Sequence, residues 1–390
     1  MDEHLKNKRI ETRAVHSGRV PEDNTGSVTT PIYPSSTYRV AFPGDESGYV
    51  YSRWSNPTRK AAENAVALLE GGSNAFLFSS GLAALNSILS LLKSGDHVVA
   101  VDDLYGGTIR QFEKLWTKFG LEFSYIDGTI ADNFKKAAKE NTKLFWVETP
   151  TNPLMKLIDI EAVSKIAKQR DILLAVDNTF ATPFIQRPLE LGADIVHHSA
   201  SKYLSGHCDV IAGAVIVKDI SLAEKVYFNQ YAIGGQLNPF EAWLLLRGLK
   251  TLHLRMERHS LNAMKLVEYL ATVDIVDKIY FPGQDGKHIP NKMLMPGGMV
   301  AFTLKADFET VKSFVMTTEI FILAESLGGV ESLINHPASM THASIPKEIR
   351  EKRGISDSLV RLSVGIENAD DLLIDLQKAF EAIRVKIKKH

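Results

Sequence analysis

Apolar and polar positions divide the chain into three regimes. Residues 1–56 hold no sustained period and are rich in Ser, Thr, Pro, Gly and Tyr, which reads as an extended arm. Asn56-Pro57 then supplies a helix cap followed by proline at the first helical position. Ala61, Ala65, Leu68 and Leu69 recur at helical spacing, and Gly71-Gly72 ends the element. Beyond it short apolar runs alternate with helical stretches. Strands are expected at 75–78, 97–101, 121–126, 144–148, 172–176, 195–198 and 211–217, with helices over 82–92 and 108–119. Apolar strands separated by helices predict an α/β domain, its mostly parallel sheet covered by helices on both faces. After Pro239 the pattern becomes a long helical stretch over 240–270 with a break near Leu249. From about Ile275 strands and helices recur, at 299–304, 308–316, 321–323, 360–364 and 371–383, as a smaller α+β unit. The expected organisation is an arm over 1–56, a large domain over 57–250 and a C-terminal domain over 251–390.

Composition narrows the function classes. Forty-five per cent of residues are hydrophobic, and 45 basic side chains nearly balance 46 acidic ones. No charge excess points to nucleic acid or to an anionic membrane, and no apolar run is long enough to span a bilayer. Cys208 is the only cysteine, so an intrachain disulfide is impossible and a reducing compartment is expected. The polar, basic stretch Met1–Arg9 is not followed by an apolar signal core, so a soluble cytoplasmic protein is expected. There is no internal repeat, no Walker A loop and no Gly-x-Ser-x-Gly elbow.

Two residues past strand ends carry the chemistry. Asp177 follows the apolar run Leu173–Val176, and ligands of open parallel sheets bind beyond the carboxyl ends of strands. Alone, it reads equally as a turn or capping aspartate. Lys202 lies in His198-Ser-Ala-Ser-Lys-Tyr203, where the hydroxyls of Ser199 and Ser201 and free backbone amides suit a phosphate. Alone, it reads as a solvated surface lysine. The pair, 25 positions apart, fits one chemistry. A lysine forms a Schiff base with an aldehyde cofactor, and an aspartate keeps a pyridine nitrogen protonated so that the ring becomes an electron sink. The lysine must shed its proton to act, which a nearby cofactor cation and a partly dry site favour. In Ser79-Ser-Gly-Leu-Ala83 a strand-to-helix turn would aim the amides of Gly81 and Leu82 at an anion, unless it is an ordinary capped turn. Tyr105, in Asp103-Leu-Tyr-Gly-Gly107, can stack on a flat ring or simply pack in its loop.

Two other classes fare worse. His197, His198, His207 and Cys208 cluster in sequence but lack His-Glu-x-x-His or Cys-x-x-Cys spacing, so no metal site is expected. A catalytically silent protein on the same scaffold would lack Lys202 or its partners Asp177, Tyr105 and Arg361, all of which are present.

The motifs occur in an order that resembles the cysteine and methionine metabolism family of pyridoxal 5'-phosphate enzymes. They are Tyr51-Ser-Arg-Trp-Ser-Asn-Pro57, Ser80-Gly-Leu82, Tyr105-Gly-Gly107, Glu148-Thr-Pro-Thr-Asn-Pro153, Asp177-Asn-Thr179, Ser199-Ala-Ser-Lys202, Ala324-Glu-Ser-Leu-Gly-Gly329 and Arg361-Leu-Ser-Val-Gly365. The resemblance runs from about Thr12 to the C-terminal helix. It implies the fold-type I architecture of aspartate aminotransferase-like enzymes, a pyridoxal 5'-phosphate cofactor and a small amino-acid substrate. It also implies roles. Lys202 carries the cofactor and shuttles protons, Asp177 pairs with the ring nitrogen, and Tyr105 stacks on the ring. Gly81, Leu82, Ser199 and Ser201 bind the phosphate. Tyr51 and Arg53 reach the phosphate in the neighbouring subunit, which implies a homotetramer built as a dimer of dimers. Arg361, with Asn152 and Ser326, holds the substrate carboxylate, a bidentate task suited to a planar guanidinium; by spacing alone Arg361 reads as a surface strand residue.

The same resemblance narrows the reaction. γ-Lyases and γ-synthases of the family carry Glu where this chain has Glu325, which can attract the distal amino group of cystathionine. β-Lyases and methionine γ-lyases usually place an aromatic or apolar residue there. Methionine γ-lyases also tend to carry Cys where this chain has Gly107. Arg110 is implied to meet the distal carboxylate or an acyl group. The implied activity is γ-elimination of L-cystathionine to cysteine, 2-oxobutanoate and ammonia. The alternative is γ-replacement, making cystathionine from an O-acylhomoserine and cysteine.

Overall fold

The computed structural model describes residues 3–19, 25–284, 289–290, 292–343 and 345–387; Met1 and Asp2 of the basic N-terminal stretch lie outside them. The arm is not wholly extended. It contains α1 (Ile10–His16), whose one buried residue, Ala14, packs into the core beside α2 (Pro57–Glu70). One small buried contact leaves no readable period, which is why α1 escapes the pattern. α2 starts and stops where expected. The Asn56 side chain accepts from the amides of Thr58 (3.0 Å) and Arg59 (3.2 Å), and Gly71 ends the helix at φ 72°.

The alternating segment follows as β1 (Asn74–Phe78), α3 (Gly81–Leu89), β2 (His97–Val101), α4 (Gly106–Lys114), β3 (Glu122–Ile126), α5 (Asp132–Ala137), β4 (Thr142–Glu148), α6 (Ile160–Lys168), β5 (Leu173–Asp177), α7 (Thr182–Ile185), β6 (Ile195–His198), β7 (Gly213–Val217) and α8 (Ile220–Ile233). The stretch expected as one helix over 108–119 is α4 followed by a separate 3-10 turn at Trp116–Phe119. The last expected strand starts at Gly213 rather than at 211.

The seven strands form one sheet in the order β1-β7-β6-β5-β4-β2-β3. All pairs are parallel except those made by β7, which runs against both β6 and β1. A parallel return would need a crossover, usually helical; the chain between β6 and β7 holds no helix and doubles back instead. Successive residues of β1, β6 and β7 alternate between two cores. Ala75, Leu77, Val196, Ala214 and Ile216 enter the core shared with α2 and α9 (Pro239–Leu249). Phe76, Phe78, Ile195, Val215 and Val217 enter the core shared with α3, α6 and α8. Burial on both faces is why these strands read as unbroken apolar runs.

The break near Leu249 is real. α9 ends there and α10 (Leu252–Leu270) begins. Leu252 and Met256 of α10 pack in the first core, whereas Ala263, Leu266 and Leu270 pack in a third. That third core belongs to the smaller C-terminal domain: β8 (Val276–Tyr280), β9 (Met299–Leu304), α11 (Phe308–Thr317), β10 (Ile322–Leu323), β11 (Leu333–Asn335), α12 (Lys347–Lys352), β12 (Leu359–Ser363) and α13 (Ala369–Ile387). Its sheet has the order β10-β11-β12-β9-β8. β9 alternates like the large-sheet strands, with Met299 and Ala301 facing the first core and Val300 and Phe302 the third.

Asn56 offers a direct test of the arm junction. Its Nδ2 also donates to the Tyr33 carbonyl oxygen at 2.8 Å, so one side chain fixes both the arm and α2. Asn56→Ala is expected to cost about 1–2 kcal/mol in thermal unfolding at fixed protein concentration. Asn56→Asp keeps the cap acceptor and should cost less.

Candidate active site

Three neighbouring strands of the large sheet end in ionisable residues. The register pairs Glu148 of β4 with Asp177 of β5, and Asp177 with His197 of β6. All three are buried. Asp177 Oδ1 accepts from the Thr179 amide (3.0 Å) and hydroxyl (2.5 Å), and Oδ2 lies 3.0 Å from His197 Nδ1. Burial alone would raise the Asp177 pKa, but the His197 charge and the Thr179 hydrogen bonds hold it below the ordinary aspartate range. Glu148 goes the other way. Burial, and then the Asp177 charge beside it, push its carboxyl well above the ordinary value.

Lys202 sits in the loop that doubles back from β6 to β7. The loop is pinned to itself: Ser201 donates its amide to the Ala212 carbonyl oxygen (3.2 Å), and its hydroxyl both donates to that oxygen and accepts from the Ala212 amide. The segment Ala324–Gly329 packs against it. A Cβ at Gly328 would stand 2.7 Å from the Tyr203 nitrogen, so only glycine admits this approach, at φ 77°. The same segment places Ser326 Oγ 2.6 Å from Lys202 Nζ. Burial, and then the charge of Arg361, lower the Lys202 ammonium to about 8.

Arg361 lies in the middle of β12, between Asn335 and Ala301, and is 1% exposed, which overturns the surface-strand reading. Nη1 donates to Asn152 Oδ1 (2.7 Å) and Nη2 to the Ser326 carbonyl oxygen (3.0 Å). Burial draws its pKa down to about 10, which leaves it charged at neutral pH. Its Nε is buried with no acceptor among the described residues. Arg361, Asn152, Ser326 and Lys202 thus form one cluster. Glu325, exposed beside Ser326, acts through space on both Lys202 and Arg361, favouring the charged form of each.

The remaining candidates divide. Tyr105 caps α4 and donates its amide to Glu148 Oε2 at 3.1 Å, while its side chain stays exposed. A Cβ on Gly107 would meet the Tyr105 ring at 2.3 Å, so glycine there leaves the ring its position. Gly81 and Leu82 open α3, in the first turn whose amides have no intrahelical acceptor, and Gly81 packs against Ser199. The Ser201 hydroxyl, by contrast, is committed to Ala212. Tyr51 and Arg53 lie apart from this cluster within the protomer: Arg53 donates to the Tyr231 carbonyl oxygen (2.9 Å), and Tyr51 bridges to Thr37. Arg110 is exposed on α4, without an ion pair or hydrogen bond among the described residues.

The histidine cluster seen in sequence disperses. His197 turns to Asp177, His198 turns to Glu70 (2.5 Å) and His207 to the Ser205 carbonyl oxygen (2.7 Å). Two partners of Asp177 escape the sequence reading: His197, which figured there only in the histidine cluster, and Thr179. Thr179 was within reach, since a hydroxyl two residues after an aspartate is a common local partner. His197 required the β5–β6 register.

The sequence profile described as "Cys/Met metabolism PLP-dependent enzyme" matches residues 11–381. The chain belongs to this family. Over 376 residues it is 51% identical to cystathionine beta-lyase of Lactococcus lactis subsp. cremoris (strain MG1363), covering 95% of this chain and 99% of that one. Over 372 residues it is 47% identical to cystathionine gamma-synthase/O-acetylhomoserine (thiol)-lyase of Bacillus subtilis (strain 168), covering 95% and 96%. The crystal structure of cystathionine gamma-lyase from Lactobacillus plantarum complexed with L-serine superposes with a TM-score of 0.93 at 45% identity, covering 96% of this chain and 99% of that one. As a Cys/Met metabolism enzyme the chain is pyridoxal phosphate-dependent, as the Lys202 and Asp177 pair led one to expect, and it has the fold-type I architecture.

The residues present fit that cofactor. An ionised, buried aspartate suits a ring nitrogen, a lysine with a weakened hold on its proton suits an aldehyde, and the first turn of α3 beside Ser199 suits a phosphate. A lysine with pKa about 8 becomes nucleophilic as pH rises through 8, whereas an ordinary lysine needs pH above about 10. Borohydride-trapped incorporation of pyridoxal phosphate into cofactor-free protein is therefore expected to rise in rate through pH 8 and to vanish in Lys202→Ala. Arg361→Leu removes a neighbouring cation and should move that profile to higher pH.

Proposed function

We propose that this enzyme cleaves L-cystathionine by γ-elimination, consuming water and releasing cysteine, 2-oxobutanoate and ammonia. The observation that carries an amino-acid substrate is the buried Arg361 guanidinium, whose Nε lacks an acceptor beside Asn152 and Ser326. A substrate α-carboxylate would supply that acceptor and fix the Cα hydrogen before Lys202. Bound pyridoxal phosphate supplies the electron sink that makes Cα and Cβ protons removable. Lys202 Nζ takes those protons in turn, a task suited to an amine that titrates near neutrality. The Tyr105 hydroxyl hands a proton to the departing sulfur. Asp177 stays charged to hold the ring nitrogen, while Gly81, Leu82, Ser199 and Ser201 take the phosphate, with Ser201 releasing Ala212 to do so. Glu325 draws the distal ammonium and Arg110 the distal carboxylate.

The large domain over 57–250 holds the cofactor in this reading, and the domain over 251–390 supplies the carboxylate site. Because Arg53 and Tyr51 stand apart from their own Lys202, we assign them to the cofactor phosphate of an adjacent subunit, in a homotetramer whose active sites are shared by pairs. The single cysteine, Cys208, suits a reducing compartment, and we read the enzyme as cytoplasmic. No helix among the described residues is long and apolar enough to cross a membrane.

A second reading, β-cleavage to homocysteine, pyruvate and ammonia, is favoured by the higher identity to the lactococcal relative. Resolving the products from L-cystathionine separates the two. Cysteine with 2-oxobutanoate is expected; homocysteine with pyruvate would replace γ-elimination by β-cleavage. No turnover by cofactor-loaded protein would direct the assay to γ-replacement, with O-acylhomoserine and cysteine. Glu325→Leu is expected to weaken kcat/KM for cystathionine about tenfold or more, through KM, while smaller γ-substituted substrates change little. For the shared site, mixing Arg53→Ala with Lys202→Ala subunits should restore activity absent from either alone; confirmed hybrids without activity would refute it.

A further inference from the structure

His197 lies at the end of β6, beside Asp177, and the proposed reaction gives it no task. It is 4% exposed, on a strand whose two preceding positions, Ile195 and Val196, are apolar core. A buried histidine in such a place is ordinarily neutral, and a neutral imidazole can donate from one nitrogen only. Here both nitrogens face acceptors. Nδ1 is 3.0 Å from Asp177 Oδ2, in a poorly aligned but close ion pair, and Nε2 is 2.8 Å from the Gly81 carbonyl oxygen. A carbonyl oxygen cannot donate, and neither can an ionised carboxylate. Two N–H groups present a proton to each neighbour, although the Nδ1 contact is too poorly aligned for a hydrogen bond; one would leave a nitrogen lone pair against an oxygen lone pair. The Trp146 ring lies 5.3 Å away, centroid to centroid, and closes that side of the imidazole to water.

We propose that His197 is a positioning residue, a buried imidazolium clamped between Asp177 and Gly81. It keeps Asp177 charged and ties the carboxylate meant for the cofactor's ring nitrogen to the turn meant for its phosphate. The inference rests on the reading of Asp177 and Gly81 as cofactor contacts. Its electrostatics agree: burial, the largest influence, draws the imidazole down, but the Asp177 charge, the Asp177 contact and the Gly81 hydrogen bond together hold His197 above its ordinary value. The elements packed around it, β5, β7, α3 and Trp146 of β4, bring Asp177 alone as a charged neighbour. Glu148 lies on the far side of Asp177, opposite it in β4, and burial pushes its carboxyl well above the ordinary value. The same carboxylate is held on its other oxygen by Thr179, so His197 governs its charge and Thr179 shares its orientation.

The sign of the effect is fixed. Asp177 is held below its unfolded value, so its charged form is present at neutral pH and lost on acidification through the folded value. Removing the adjacent cation raises that value, so loss begins at higher pH. The test is acid release of pyridoxal phosphate from holoenzyme, followed by cofactor absorbance and filtration, in wild type, His197→Leu and His197→Gln. The expected result is a release midpoint at least one pH unit higher in both variants, with cofactor affinity at pH 8 weakened about tenfold. Gln replaces one donor but no charge, so it should resemble Leu in midpoint. Circular dichroism of the cofactor-free proteins separates folding from this effect. A purely structural role would lower the thermal midpoint and leave the release midpoint in place. An unmoved midpoint in a folded variant overturns the proposal. If Leu fails to fold, Gln alone decides. Should Lys202→Ala still take up cofactor covalently, the reading of the site fails instead, an outcome distinct from an unmoved midpoint.

Discussion

A carboxylate cannot be left bare in the dry interior at the end of a sheet, and much of this active site follows from meeting that constraint at Asp177. The strands that lead to it are buried on both faces, so their charged groups are confined to their ends. There the burden is divided. Thr179 takes one oxygen, His197 faces the other, and the Glu148 carboxyl beside it is pushed well above its ordinary value by burial and by the Asp177 charge. The positive side is arranged with equal economy. Arg361 retains its charge deep in β12, and its presence helps Lys202 give up its own. A cation that keeps its charge therefore stands beside a lysine whose hold on its own proton is weakened.

The architecture was legible where its causes are local. The α2 helix announces itself through Asn56, Pro57 and Gly71, and the central strands through apolar runs that two cores demand. Elements held by distant contacts were not. α1 buries a single alanine, and β11 has three residues and α12 six, too short for a period to emerge. Likewise Lys202 and Asp177 could be found because each follows an apolar strand. The depth of Arg361 could not, since its hydrogen-bond partner Asn152 lies 209 positions away and an arginine within a strand ordinarily faces water. His197 and His198 show the limit most sharply. Adjacent in sequence, they project to opposite faces of β6, one toward Asp177 and the other toward Glu70.

The two domains are joined by more than the connection at Thr251. α10 is rooted in the large-domain core by Leu252 and Met256 and in the small-domain core by Ala263, Leu266 and Leu270. Arg255, on the same helix, donates to the carbonyl oxygens of Tyr203 (2.7 Å) and Gly248 (2.8 Å), so the lysine loop is anchored from the connecting helix as well. Arg361 of the smaller sheet then reaches back to Asn152 of the larger domain. The site is held where both cores terminate, which places an amine and a guanidinium from different domains around one serine.

Glu325 and Ser326 are chain neighbours with unequal freedom to vary. Ser326 is bonded on its hydroxyl by Lys202 and on its carbonyl by Arg361, and it takes a φ of 84° that few side chains accept, so most replacements would disturb both charged partners at once. Glu325 faces solvent and holds no structural bond among the described residues, so exchanging it costs the fold little. In the proposed reading, the residue meeting the distal part of the substrate is thereby uncoupled from the cluster meeting its carboxylate. On that reading, drift at a single exposed position could change which side chain is accepted, while the neighbouring serine, tied to Lys202 and Arg361, stays fixed.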